Sequence, residues 1–403
     1  MRGTDLFPSD PLRTRPAARQ SEHSAHDADG IRGDVPGDRR GAVWPRVARM
    51  ASLVPATGSE NAGPGAVPGG RQHASGTGRA DGSIVGPHGG SERSIGPRFD
   101  TPVEPGGYAW WYVDALSEDG RHGLTLIAFV GSVFSPYYAW ARGRGAADPL
   151  QHCAVNVALH GPGGKRWAMT ERGRASVSRA ATTLAIGPSA LAWDGATLTV
   201  VLDEVTAPWP TRLRGTVRLH AAALTGRVVA LDGGGAHRWQ PIAPVARVEV
   251  ALTDPATRWS GQGYFDANAG DAPLEDTFAN WHWSRACLPG ATAILYDVCQ
   301  RDGARTSLAL HCTAQGGVRE FAPPPPVRLP PTRWRVERAT RADEGSAASV
   351  TRTLEDAPFY ARSLIASRVR GQSAVAIHES LSLDRFRAGW VRMLLPFRMP
   401  RIG

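Results

Sequence analysis

Hydrophobic positions along this chain come in short bursts, with no long stripe at helical spacing. Residues 110–116 (W-W-Y-V-D-A-L) and 124–130 (L-T-L-I-A-F-V) are two such bursts, joined by S-E-D-G-R-H-G. Runs of this length, rich in aromatic and β-branched residues and bounded by turn formers, predict a hairpin. Further strands are expected at residues 153–160, 166–171, 183–186, 196–205 and 213–220, separated by Gly-, Pro- and Asp-rich turns. A second series follows at 246–252, 293–300, 305–312, 334–340, 349–354, 364–370 and 374–380. Short strands at this spacing predict an all-β fold of barrels or sandwiches. The four prolines of residues 323–326 fit only a loop or an extended spacer.

The pattern partitions the chain. Residues 1–97 are dominated by Gly, Pro, Ser, Arg and Asp and lack apolar runs. Such a segment buries too little apolar surface to offset its ordering entropy, so it is expected to be disordered. The two strand series then make a first β domain at residues 98–250 and a second at 251–403.

One stretch departs from the alternation. Residues 258–278 read R-W-S-G-Q-G-Y-F-D-A-N-A-G-D-A-P-L-E-D-T-F. Gly261, Gly263 and Gly270 are expected to break a strand here, marking a bulge or a close approach to the backbone. Aromatic Trp259, Tyr264 and Phe265 stand among Asp266, Asn268, Asp271, Glu275 and Asp276. That mixture suits the lining of a pocket better than a core. Tyr264 and Asp266, two residues apart, share one face of a regular strand. Asp271, Glu275 and Asp276 read as loop charges and a helix start at P-L-E-D.

Composition narrows the function classes. The formal charge of +9 comes from 46 basic and 37 acidic residues, with Lys165 the only lysine. The arginines alternate with acids and form no basic patch, which argues against nucleic-acid binding. Cys153, Cys287, Cys299 and Cys312 show neither zinc-site nor disulfide spacing and are expected to be free. No apolar run is long enough for a spanning helix, and the N-terminus lacks a secretory apolar core. A protein on the cytoplasmic side, soluble or peripherally bound, is expected. The tail at residues 386–401 mixes Trp390, Met393, Leu394, Leu395, Phe397 and Met399 with Arg387, Arg392, Arg398 and Arg401. It fits a segment lying in a membrane interface and equally a terminal helix packed on a barrel. Oligomeric state is left open.

No phosphate- or dinucleotide-binding motif is present, so no cofactor is expected. His282, His378 and Glu379 lack the partners of a metal motif, and no metal site is expected.

Residues 259–275 resemble the signature of the carotenoid 1,2-hydratases, also called hydroxyneurosporene synthases, of phototrophic bacteria. Five further blocks are similar to that family, at residues 107–117, 128–140, 166–173, 353–363 and 378–386. The resemblance spans roughly residues 99–403. It implies a tandem lipocalin-like architecture, whose barrels can hold one apolar ligand. It also implies a cofactor-independent hydro-lyase that adds water to the terminal C1=C2 bond of an acyclic carotene such as neurosporene or lycopene. By the same resemblance the functional residues are Asp266 as acid, with Tyr264 and Trp239 beside it. Such a reaction needs a carboxyl kept protonated in an apolar pocket and aromatic faces that tolerate a carbocation. Asp114 and Glu171, in other matching blocks, are open candidates for orienting the water. The alternative is a non-catalytic lipocalin-like carrier of a carotenoid or lipid. A glycosidase pairing Asp266 with Glu275 is weaker, because the surroundings of Tyr264 are apolar.

Overall fold

A computed structural model describes residues 95–402 of the protein. The expected disordered segment lies outside the described residues up to residue 94. From there the chain is almost entirely strand. The first series is β1 (Tyr108–Ser117), β2 (Gly123–Val130), β3 (Cys153–Gly161), β4 (Gly164–Arg172), β5 (Val177–Ala180), β6 (Thr183–Ile186), β7 (Ser189–Trp193), β8 (Thr197–Val205) and β9 (Arg212–Ala221). It continues with β10 (Val229–Ala230), β11 (His237–Asp254) and β12 (Ala256–Gly270). The second series is β13 (Phe278–Leu288), β14 (Ala291–Gln300), β15 (Arg305–Thr313), β16 (Val318–Glu320), β17 (Pro326–Leu329), β18 (Arg338–Arg341), β19 (Ser349–Asp356), β20 (Tyr360–Val369) and β21 (Gln372–Ser382). A last short strand, β22 (Arg401–Ile402), ends the described chain.

The first sheet runs β22-β4-β3-β2-β1-β12-β11-β9-β8-β7-β6-β5, and the second runs β16-β15-β14-β13-β21-β20-β19. The expected junction at 250/251 falls inside β11. Because β12 pairs with both β1 and β11, residues 256–270 belong to the first sheet, and the change of sheet comes between Gly270 and Phe278. The glycines of β12 do not break it. A Cβ at Gly261 would collide with the Leu116 carbonyl, and one at Gly270 with the Tyr108 ring. They are close-approach glycines that let β1 and β12 pair without interruption. Two other expectations also change. Residues 278–288 form a long strand that the second expected series omits, and the strand expected at 334–340 is confined to Arg338–Arg341.

Three layers of side chains hold the sheets. The first sheet curls so that Val155 and Val157 of β3 share a core with Leu184, Leu191, Leu219 and Val248. Tyr108, Trp110, Tyr112, Trp239 and Tyr264 leave its opposite face and meet Trp281, Trp283, Ile294 and Tyr296 of the second sheet. The second sheet keeps a smaller core of its own, with Leu288, Leu295, Ala309 and Ile365. Strand β1 has apolar partners on both faces, which is why W-W-Y-V reads as a continuous apolar run and not as an alternation.

The tail takes the packed alternative in part. Phe386, Val391, Leu395 and Met399 are buried, while Met393 (72% exposed) and Phe397 (75% exposed) face outward. Arg401–Ile402 then pairs in parallel with Glu171–Arg172, strapping the end of the chain to the first sheet. Among the described residues, no helix is long and apolar enough to cross a membrane. All four cysteines are free.

Candidate active site

Asp266 lies near the middle of β12, with Tyr112 of β1 opposite it on one side and Pro241 of β11 on the other. Pro241 has no N–H to give the ladder, and β11 slips its register just beyond it, between Pro241, Ala243 and Ala246. Bulges of this kind re-aim side chains beside functional sites. Alternation along β12 sends Phe265 into the first core, and Tyr264 and Asp266 into the layer between the sheets.

The three residues singled out from the sequence meet there. The Trp239 indole N–H and the Tyr264 hydroxyl both donate to Asp266 Oδ2, each at 2.8 Å. The other carboxyl oxygen, Oδ1, is buried and has no hydrogen-bond partner. Burial pushes the Asp266 carboxyl up to about 8, the bonds from Trp239 and Tyr264 pull the other way, and the charges of Glu379 and Asp114 add to the rise. Convergence of both donors on one oxygen leaves Oδ1 as the place for a proton. Aromatic rings crowd around: Tyr264 lies 5.2 Å from Trp283 and 6.1 Å from Tyr112, and Trp239 lies 5.5 Å from Tyr296 (centroid to centroid).

A second polar cluster adjoins the first. Asp114, fully buried, receives Arg285 Nε at 2.6 Å and the Tyr112 hydroxyl at 3.1 Å. That hydroxyl also reaches Glu379 Oε1 at 2.7 Å, and Arg362 bridges Glu379 and Asp114. Two arginines thus face two carboxylates, whereas Asp266 has only neutral donors. Buried charges persist when paired; an unpaired buried carboxyl keeps its proton instead.

A cavity of about 400 Å³ opens beside these clusters. Its walls are mostly apolar, including Trp110, Ile127, Phe129, Trp167 and Trp281, and its mouth carries Leu394 and Phe397. Tyr112 and Glu379 belong to its lining, while Asp266, Tyr264 and Trp239 stand one layer behind, beyond the Tyr112 and Trp281 rings.

Other expectations sort differently. Glu275 is no loop charge: it is 4% exposed and tied to Arg142 at 2.8 Å and Arg392 at 3.1 Å. It is therefore not available as a partner carboxylate for Asp266. Glu171 is held by His152 and Arg401, away from the cavity lining. His282 and His378 share the hydroxyl of Ser380. The sequence reading missed Trp283, Arg285, Tyr296, Arg362 and the bonded role of Glu379. The W-x-W-x-R alternation of residues 281–285 was the available signal, obscured by an arginine at an inward position.

Comparison with known proteins bears on this site. Residues 126–403 match the family model described as carotenoid hydratase CrtC. An acyclic carotenoid 1,2-hydratase of Thiocapsa roseopersicina is 55% identical over 94% of this chain and 94% of its own length. One from Rubrivivax gelatinosus is 51% identical over 96% of this chain and 97% of its own. Among solved structures, an AttH protein of Nitrosomonas europaea matches with a TM-score of 0.50 and 15% identity, covering 74% of this chain and 98% of that one. That likeness concerns the fold alone, which is of the all-β, tandem lipocalin-like kind expected from the sequence.

Proposed function

The chain belongs to the carotenoid hydratase family, and from that premise we propose that it adds water across the terminal C1=C2 bond of an acyclic carotene, with Asp266 as the proton donor. Neurosporene or lycopene would give the 1-hydroxy product. The observation that carries this reading is the divided carboxyl of Asp266: both donors hold Oδ2, and buried Oδ1 has no partner.

Hydrating an unactivated alkene begins with protonation. Oδ1 gives its proton to C2, and a tertiary cation forms at C1. The aromatic rings of Trp239, Tyr264 and Trp283 favour that charge, each by about 2 kcal/mol when desolvated. Trp239 and Tyr264 act a second time, because their bonds to Oδ2 strengthen as the carboxylate charge appears. Water then captures C1. The polyene lies in the apolar cavity, and its end group reaches Oδ1 by displacing the Tyr112 and Trp281 rings from the wall between them. A carrier that only held the polyene would gain nothing from a buried acid, which costs free energy to desolvate.

Product formed anaerobically from lycopene in heavy-oxygen water tests the reaction. The 1-hydroxy oxygen is expected to come from water. An unlabelled alcohol would mean hydroxylation, and recovery of lycopene alone would leave the carrier reading.

The cavity mouth bears on substrate delivery. Exposed Phe397 and Trp334 line it; Met393, also exposed, is the neighbour of Leu394 in the chain, and Trp390 stacks on Trp334 at 6.1 Å with Arg385 over its ring. Such a face suits peripheral contact with an anionic bilayer. The double variant Met393→Ser, Phe397→Ser is expected to lower co-sedimentation with anionic vesicles by several-fold while leaving the fold intact. Unchanged sedimentation would remove this face as the contact.

A further inference from the structure

Donation of a proton is half of a hydration. The water that captures the cation must lose a proton too, and the inference here rests on the hydration reading above. The cavity holds several acidic side chains, but their settings differ. Glu355 is paired with Lys165 at 2.7 Å, and Asp356 accepts the Arg333 backbone N–H at 2.9 Å. The charges of Glu379 and Asp114 both raise the Asp266 carboxyl. Asp114 has no exposed surface, does not line the cavity, and is held by Arg285.

Glu379 is different. It lines the cavity, and its side chain is 13% exposed while its partner Arg362 is 1% exposed. The carboxylate therefore stands on the boundary between the buried ionic cluster and the hollow. Tyr112 and Arg362 both donate to Oε1, which fixes its orientation. Across the same hollow stands Thr125, whose buried Oγ1 has no partner, with Asn156 on the next strand. A bound water needs two to four polar partners, and these groups supply them.

We propose that Glu379 is the general base of the reaction, holding the attacking water together with Thr125 and accepting its proton as the C1–O bond forms. The atoms balance. An oxygen lone pair makes the new bond to C1, one O–H bond breaks with its electrons left on oxygen, and the proton passes to Glu379. Asp266, ionised by the first step, recovers a proton from solvent, and Glu379 returns its own, so the net change is alkene plus water to alcohol. The division of labour follows from charge. Arg362 pairs with Glu379 and Arg285 with Asp114, which favours the carboxylate form of Glu379, while Asp266 is met by the neutral donors Trp239 and Tyr264. Burial also holds the Glu379 carboxyl above its ordinary range, against the pull of Arg362, making it a better proton acceptor than a surface glutamate.

The test uses the full chain with lycopene in detergent. Glu379→Gln keeps an oxygen for Tyr112 and Arg362, and is expected to lower kcat at least ~10²-fold with KM nearly unchanged. Loss of its negative charge should also move the alkaline limb assigned to Asp266 to lower pH. The charged or titratable groups that act on residue 379 are Tyr112 and Asp114 from β1, Asp266 from β12, and Tyr360 and Arg362 from β20; all remain in the variant. Azide needs no proton removed, so Glu379→Ala with azide should yield the 1-azido product. Turnover by Glu379→Gln within a few-fold of wild type, or no azide adduct, would overturn the base. Wild-type kcat/KM should also fall in acid as Glu379 protonates, a measurement that requires no variant to fold; a flat acid side in a protein still folded there overturns the proposal. A wild type that makes no alcohol would overturn the hydration reading itself and the base with it, which separates the two failures.

Discussion

The two faces of β1 and β12 make an instructive contrast. On one face Trp111, Val113 and Phe265 enter an apolar core with Val155, Leu191 and Val248. On the other, one residue away each time, stand Tyr112, Asp114, Tyr264 and Asp266 among rings and charges. The same backbone thus carries an apolar support on one side and the candidate site on the other, and strand alternation alone separates them. A close-packed core holds its strands rigidly, so the Asp266 carboxyl can be kept within hydrogen-bond reach of Trp239 and Tyr264 without a mobile loop. The lesson is that the candidate site takes its geometry from the apolar face behind it.

Substitutions on the two faces should therefore behave differently. Asp266→Asn, on the polar face, is expected to keep the fold and abolish hydration, a loss of ~10²–10⁴-fold or more, measured by product chromatography. The same carboxyl sets a pH dependence. Its pKa is raised to about 8, so the reactive acid form is full below that pH and is lost above it. Wild-type kcat/KM should fall as pH rises through about 8, and an activity still rising at pH 9 would exclude Asp266 as the donor. On the apolar face, Leu219→Ala should cost ~2–5 kcal/mol of stability in a denaturant titration. Turnover per folded molecule should be unchanged; a large drop in kcat would show that the faces are not separable.

The smallest effect expected is the most specific. Trp239→Phe removes one donor from Oδ2, a bond worth roughly 1 kcal/mol. Because that bond favours the charged form, its loss should raise the Asp266 pKa further and move the alkaline limb to higher pH, with about a tenfold fall in rate. A limb that stays in place would mean that Trp239 serves only as packing.

Much of this was readable in the linear sequence. The hairpin of β1 and β2 followed from two short apolar runs and the turn between them, and the pairing of Tyr264 with Asp266 from a spacing of two. Trp239 was different: it came from family resemblance, since nothing local ties residue 239 to residue 266 before β11 and β12 pair. The glycines of β12 were read in part. Close approach to the backbone was expected and is found, at the Leu116 carbonyl for Gly261 and the Tyr108 ring for Gly270, but these neighbours are distant in sequence, so a local reading also expected a broken strand where β12 runs on. The helix start at P-L-E-D is found as the turn Leu274–Thr277, but the loop-charge reading of Glu275 missed its burial, because its partners, Arg142 and Arg392, lie more than a hundred residues away.

What the sequence alone determined is what depends on neighbours along the chain: an all-β fold, the strands β1–β4, β6, β8 and β9, and the face shared by Tyr264 and Asp266. Tertiary structure decided which buried carboxyl has cations beside it and which does not. That property depends on the cations and donors around each group in space. Arg285 and Arg362 arrive from the second sheet to pair with Asp114 and Glu379, while Asp266 receives Trp239 and Tyr264 and, among the described residues, no arginine. A pKa is set by burial and by charges within a few ångströms, and in this protein those charges come from strands that meet only when the two sheets close on each other.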